Sequence, residues 1–115
     1  MERWKQITGF RNYEVSDTGL VRRRLKSNVY KVLRACNNGN GYMRVNLYKD
    51  GKPKKQYVHR LVAKEFLRNS KRLPEVHHIN HDKTDNTLAN LKWVSSEENN
   101  KHKVVFYRNR LRSYN

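Results

Sequence analysis

From Pro74 to His102 the chain reads PEVHHINHDKTDNTLANLKWVSSEENNKH. No other segment limits the fold as much. Two short apolar runs, Val76 to Ile79 and Leu91 to Val94, have the length and branching of strands. Between them Asn80 to Asn90 is rich in Asn, Asp and Thr and reads as a polar connection. Ser95 and Glu98 stand at the N-cap and N3 positions of a capping box, so a helix is predicted from there through His102 toward Arg110. The order is strand, loop, strand, helix. His77 and His78 fall at the end of the first strand, and Asn90 and Asn99 follow His78 by 12 and 21 positions.

Upstream, residues 1 to 58 have strand-and-turn character. Tyr13 to Ser16, Leu20 to Leu25 and Val29 to Leu33 are predicted strands, with a turn at Asp17-Thr18-Gly19 and a loop from Asn37 to Gly41. From Tyr42 the pattern alternates. Met43, Val45 and Leu47 share one face; Tyr42, Arg44, Asn46 and Tyr48 share the other. Lys49-Asp50-Gly51-Lys52 is a hairpin turn with a return strand near Lys54 to Val58. His59 to Leu67 has helical spacing, with Leu61, Val62, Glu65 and Phe66 on one side. The expected fold is α+β, an N-terminal antiparallel β-sheet region followed by the strand–loop–strand–helix unit. Trp93 is expected in the core, Trp4 as an N-terminal anchor and His59 as a cap where sheet meets helix.

Charge narrows the partner. The 115 residues carry 26 Lys and Arg against 10 Asp and Glu, a formal net charge of +16. So dense a charge repels itself unless a polyanion is a regular partner, and phosphate backbones are neutralised by Lys and Arg. Double-stranded DNA is the expected partner. A membrane surface is not, because no long apolar run or basic amphipathic helix with a strong apolar face occurs. The N-terminal MERWKQITGF lacks a signal-like apolar stretch, so a cytoplasmic location is expected. Cys36 is the single cysteine; it permits no intrachain disulfide or cysteine-based zinc site and is expected to be partly buried. Arg22, Arg23, Arg24, Tyr42, Arg44, Asn46, Tyr48, Lys52, Lys54, Lys55 and Arg60 are the candidate DNA-contacting residues. Lys103, Arg108, Arg110 and Arg112 form a basic helix or tail.

Two histidines ending a strand can aim at one point through a bend. One imidazole can bind a metal while a neutral one removes a proton from water. An amide oxygen on the following helix can share the ion. That set suits metal-assisted phosphodiester cleavage.

These residues resemble a known family. Val76-His77-His78-Ile79, Asn86, Asn90-Leu91-Lys92-Trp93-Val94 and Glu98-Asn99 look like the HNH motif of ββα-metal endonucleases, in particular the phage and intron HNH homing endonucleases. His59-Arg60-Leu61-Val62-Ala63 resembles the segment that precedes the motif in that branch. Trp4, Ile7, Gly9, Phe10, Tyr13, Val15, Ser16, Thr18, Gly19, Val21 and Arg22 resemble the short N-terminal module, thought to engage DNA, that accompanies many phage enzymes of this kind. The resemblance implies a general base at His78 and a loop-bracing role for Asn90. It implies metal ligands at His77 and Asn99, and one divalent ion. His81 and His102 are candidates for a further metal or phosphate contact, although a solvated turn residue and an exposed helix residue are the alternatives.

Two departures matter. His77 stands where relatives often have Asp, which removes a negative charge; Mg²⁺ or Mn²⁺ is expected, with Zn²⁺ or Ni²⁺ also accommodated. Asn80-His81-Asp82 replaces the usual Asp-Gly turn. The longer homing enzymes carry a further C-terminal DNA-binding region; with the sequence ending at Asn115, a shorter footprint is expected. The expected organisation is a β-rich DNA-engagement region at 1–58, a nuclease motif at 59–104 and a basic segment at 105–115. The chain is expected to act as a monomer that nicks or a homodimer that cuts both strands. A DNA-binding accessory protein with a degenerate site is the second reading. A third, an RNA-binding module, rests only on charge and aromatic residues.

Overall fold

A computed structural model describes residues 1–101. The expectations for His102, Lys103, Arg108, Arg110, Arg112 and segment 105–115 lie outside the described residues.

Among the described residues nine strands form three antiparallel sheets, joined by one complete helix and the start of a second. The first sheet has the order β1 (Trp4–Gln6), β2 (Tyr13–Ser16), β3 (Val21–Lys26), β4 (Val29–Val32). The second holds β5 (Cys36–Asn37), β6 (Met43–Lys49) and β7 (Lys52–Tyr57). Helix α1 (Val58–Phe66) follows directly, then β8 (Glu75–His78), which pairs with β9 (Leu91–Val94) as the third sheet. Residues 96–101 begin α2.

The N-terminal region is therefore two sheets rather than one. β1 and β5 were not legible as strands, because each is two or three residues long and polar or half-exposed. The return strand starts earlier than expected and gives Val58 to α1. The helix ends at Phe66, where Leu67 turns to an extended ψ of 124° while its N–H still reaches Ala63 O at 2.9 Å. Ile79 is 49% exposed and lies outside β8. Cys36 is exposed, not partly buried. The hairpin at Asp50-Gly51 holds, with φ of 54° and 77° at its two central residues, the signature of a turn that matches strand twist.

One core joins the three sheets. α1 sits at its centre and packs on β2, β6, β7, β8 and β9. Val58, Leu61, Val62 and Ala63 of α1 are buried with Ile7, Tyr13, Val15, Val21, Val45, Leu47, Val76 and Leu91. Polar links fasten the layers. The Tyr48 N–H donates to the Tyr13 hydroxyl at 3.1 Å, joining the first sheet to the second. The Glu65 carboxylate accepts from the Thr8 N–H at 3.0 Å and its hydroxyl at 3.2 Å, joining the N-terminus to α1. Trp93 is half-buried, and its indole N–H donates to Leu67 O at 3.3 Å. Among the described residues no helix is long and apolar enough to cross a membrane.

Candidate active site

β8 and β9 run antiparallel with His77 opposite Lys92 and His78 opposite Leu91. The chain bends after β8, where the His81 N–H reaches His78 O at 2.9 Å. His81 has φ 62°, the left-handed region that glycine enters at least cost, which accounts for the glycine more usual at this turn. Asn90 ties the loop together. Its Oδ1 accepts from the Asn80 N–H at 3.0 Å, and its Nδ2 donates to Asn80 Oδ1 at 2.9 Å and Asp85 O at 2.8 Å. Asp82 and Asp85 close local turns on Thr84 and Thr87, whose hydroxyls donate at 2.6 and 2.7 Å. At the other end Ser95 Oγ accepts from the Glu98 N–H at 3.0 Å, which starts α2 and places Asn99 in its first turn. His77, His78, His81, Lys83, Asn99, Tyr42 and Val76 then border one cavity of about 40 Å³.

His78 is buried, and its Nε2 lies 2.8 Å from Asn86 Oδ1. A carbonyl oxygen only accepts, so Nε2 carries the proton and the neutral ring keeps its lone pair on Nδ1. Burial lowers the His78 pKa from its ordinary 6.5, and the Lys83 charge adds to that; the Asn86 bond and the Asp82 and Asp85 carboxylates oppose it. His59 packs against the same ring with centroids 4.9 Å apart, and Tyr42 stacks on His59 at 5.3 Å. Desolvation, helped by His78 and Arg60, lowers His59 to about 3. Its Nδ1 is buried with no hydrogen-bond partner among the described residues.

The sequence expectations for this region need two corrections. Tyr42 does not lie on the outward face of β6 with Asn46 and Tyr48. It precedes the strand and turns its ring to His59 and His78, with Lys83 Nζ 4.6 Å from its centroid. Arg22 is half-buried and engaged within the first sheet. Its guanidinium lies between Trp4 and Tyr30, 4.0 and 3.8 Å from their centroids, and pairs with Glu14 at 2.7 Å. Arg23, Arg24, Asn46, Tyr48, Lys52, Lys54, Lys55 and Arg60 are exposed and Arg44 half-exposed. Arg44, Asn46 and Lys55 border one groove with Lys31 and Arg34; Lys55 and Arg60 border another with Lys64 and Arg68. Asn86, Tyr42, His59 and Lys83 surround His78 although sequence reasoning gave none of them that place. Asn86 belonged to the motif without a role; only closure of the loop by Asn90 brings it to the ring.

A strand-rich N-terminal region leading into a ββα unit with paired histidines and a helical asparagine defines a class, the ββα-metal nucleases. Residues 2–48 match the NUMOD4 motif, and residues 56–101 match the HNH endonuclease family. The chain thus carries an HNH endonuclease domain at residues 56–101. It is 43% identical over 110 residues to an uncharacterised HNH endonuclease, L247, of Acanthamoeba polyphaga mimivirus, covering 90% of this chain and 26% of that protein. It is 39% identical over 97 residues to the DNA endonuclease I-HmuI of Bacillus phage SP01, covering 84% and 54%. A solved structure of I-HmuI, described as DNA binding and cleavage by an HNH homing endonuclease, matches with TM-score 0.78 and 35% identity over 90% of this chain and 58% of that one. The chain thus spans about a quarter to just over half the length of these relatives.

HNH endonucleases generally use a divalent metal ion. The residues here fit one: an imidazole at His77 and an amide at Asn99 border a cavity large enough for an ion or a water. Among the described residues no three His, Cys, Asp or Glu side chains gather as a metal cage. Phosphate and water oxygens would have to complete the coordination.

Proposed function

We propose that this chain hydrolyses phosphodiester bonds of double-stranded DNA through its HNH site. The observation that carries this reading is the state of His78. It is buried, its pKa is depressed, its Nε2–H is held by Asn86, and it borders the same cavity as His77 and Asn99. A neutral imidazole in that setting is a general base near pH 7. His78 Nδ1 takes the proton of the attacking water. Lys83, on the same cavity, attracts the phosphate. Attack breaks the bond from phosphorus to the 3′ oxygen, which takes a proton from a second water, leaving a 5′-phosphate and a 3′-hydroxyl. His77 and Asn99 would hold the ion, with the loop kept in register by Asn90. When bound, the ion supplies positive charge to the scissile phosphate and the leaving oxygen. Mg²⁺ or Mn²⁺ serves best, and the neutral donor pair also admits Zn²⁺ or Ni²⁺.

The exposed cations of β3, β7 and α1 hold the duplex by its phosphates. A monomer nicks, and a homodimer cuts both strands. The phage SP01 relative supports a phage or mobile-element setting, with action in the cytoplasm of an infected host. The test is nicking of supercoiled plasmid across a metal series by the protein and by His78→Ala. Metal-dependent nicking that the variant loses is the expected result; undiminished nicking by the variant refutes the base assignment. A second reading, a DNA-binding accessory protein with a degenerate site, is favoured by the donor set without a carboxylate. A mobility shift that survives EDTA, with no cleavage under any ion, would establish it.

A further inference from the structure

Asn86, whose amide holds His78, is packed at its backbone and Cβ by a turn of the first sheet. The turn between β2 and β3 lies against it. Leu88 N–H donates to Asp17 O at 2.8 Å. Gly19 has φ 91°, and a Cβ built on it would meet Asn86 O at 3.0 Å and Asn86 C and Cβ at 3.1 Å. A side chain there would push Asn86 back by a few tenths of an ångström and hold a φ that only glycine adopts at little cost. The turn is well tied. Ser16 is fully buried, and its hydroxyl accepts from the Leu20 N–H at 3.0 Å and the Thr18 N–H at 3.3 Å. Arg3 pairs with Asp17 at 3.2 Å on the outer side. Asn86 is 6% exposed, between this turn and the His78 ring.

We propose that Asn86 is a positioning residue for His78, and that the Asp17–Gly19 turn of the first sheet fixes Asn86 in place. The N-terminal sheet then acts on the general base as well as on DNA. The inference rests on the nuclease reading for its consequence in rate, but its structural half can be measured without metal or DNA. Without the Asn86 acceptor the neutral ring can carry its proton on either nitrogen, and only the Nε2–H form leaves Nδ1 free to take one. An orienting partner of this kind is typically worth about 10- to 100-fold in activity.

The experiment uses the full chain with ¹⁵N-labelled histidine. Long-range ¹H–¹⁵N spectra of the neutral rings report the His78 tautomer, and plasmid nicking gives kcat and KM. The unaltered protein should show Nε2–H. Asn86→Ala should lose that preference and about 10- to 100-fold in kcat, with KM for DNA nearly unchanged. Asn86→Asp, which keeps the acceptor oxygen, should restore the tautomer. Gly19→Ala should resemble Asn86→Ala with a smaller loss. Gly9→Ala is its control, because Gly9 has a similar φ of 86° but no atom within 4 Å of its added Cβ. Should Gly19→Ala fail to fold, Ser16→Ala loosens the same turn without adding an atom and is read in its place.

An Nδ1–H tautomer in the unaltered protein overturns the role of Asn86. Tautomer and kcat no different in the turn variants from those in Gly9→Ala overturn the role of the turn. An unaltered protein that cuts nothing, yet shows the Nε2–H tautomer and loses it in Asn86→Ala and Gly19→Ala, refutes the nuclease reading and upholds this one.

Discussion

His59 and His78 lie in ring contact, and burial is the first cause of the lowered pKa of each. Both values fall below the ordinary 6.5, so between that pH and the folded value the unfolded chain binds more protons than the folded one. Stability is therefore full above about 6.5 and is lost as pH falls, down to about 3 for His59. For His59 the shift corresponds to on the order of 4 kcal/mol. Replacing it by Phe keeps a ring beside Tyr42 and removes the titrating group. Urea unfolding of His59→Phe between pH 7 and pH 4 should show a much flatter loss of stability than the unaltered protein. Equal slopes would mean that His59 is not the acid-sensitive group.

The β8–loop–β9 element depends on one amide. Asn90 is buried and makes three side-chain hydrogen bonds across the loop. Removing them takes that partner from the Asn80 N–H and Asp85 O, which are exposed and half-buried, and each such hydrogen bond contributes about 0.5–1.5 kcal/mol. Asn90→Ala should lower stability by roughly 2–4 kcal/mol. Calorimetry would record a fall in Tm of about 4–8 °C per kcal/mol for a chain near this size. Asp would keep the Oδ1 acceptor for Asn80 and lose only the Nδ2 donor. Asn90→Asp should fall between Ala and the native residue, and a variant as stable as the native protein would show that the loop is closed by other contacts.

For the whole molecule, the net charge is +16, and among the described residues exposed Lys and Arg line β3, β7 and α1. On the proposed reading Lys52, Lys54 and Lys55, all exposed on β7, contact phosphates. Each lost phosphate contact lowers the slope of log affinity against log salt by about 0.9 for duplex DNA. The triple variant with Ala at 52, 54 and 55 should therefore bind more weakly in EDTA and with a slope shallower by up to about 3. Cleavage under saturating DNA should persist, because none of the three borders the catalytic cavity. An unchanged slope would move the DNA-binding surface to another face, the β3–β4 hairpin being next.

The sequence by itself determined the longer elements and the motif, though not β1 and β5. Alternation at Met43, Val45 and Leu47, the Asp50-Gly51 turn and the Ser95–Glu98 cap are local signals, because the side-chain period and the turn chemistry depend on neighbours a few residues apart. The spacing of His77, His78, Asn90 and Asn99 was legible for the same reason. What surrounds His78 was not. Asn86 reaches His78 only after Asn90 folds the loop, and Tyr42 and His59 come from the residue before β6 and from α1. Gly19 lies far along the chain from Asn86, and only the docking of the first sheet brings them together. Arg22 looked like a free cation until Trp4 and Tyr30 closed on it. The tertiary structure decided these contacts because long-range packing has no period in the sequence and is chosen by the burial of the common core.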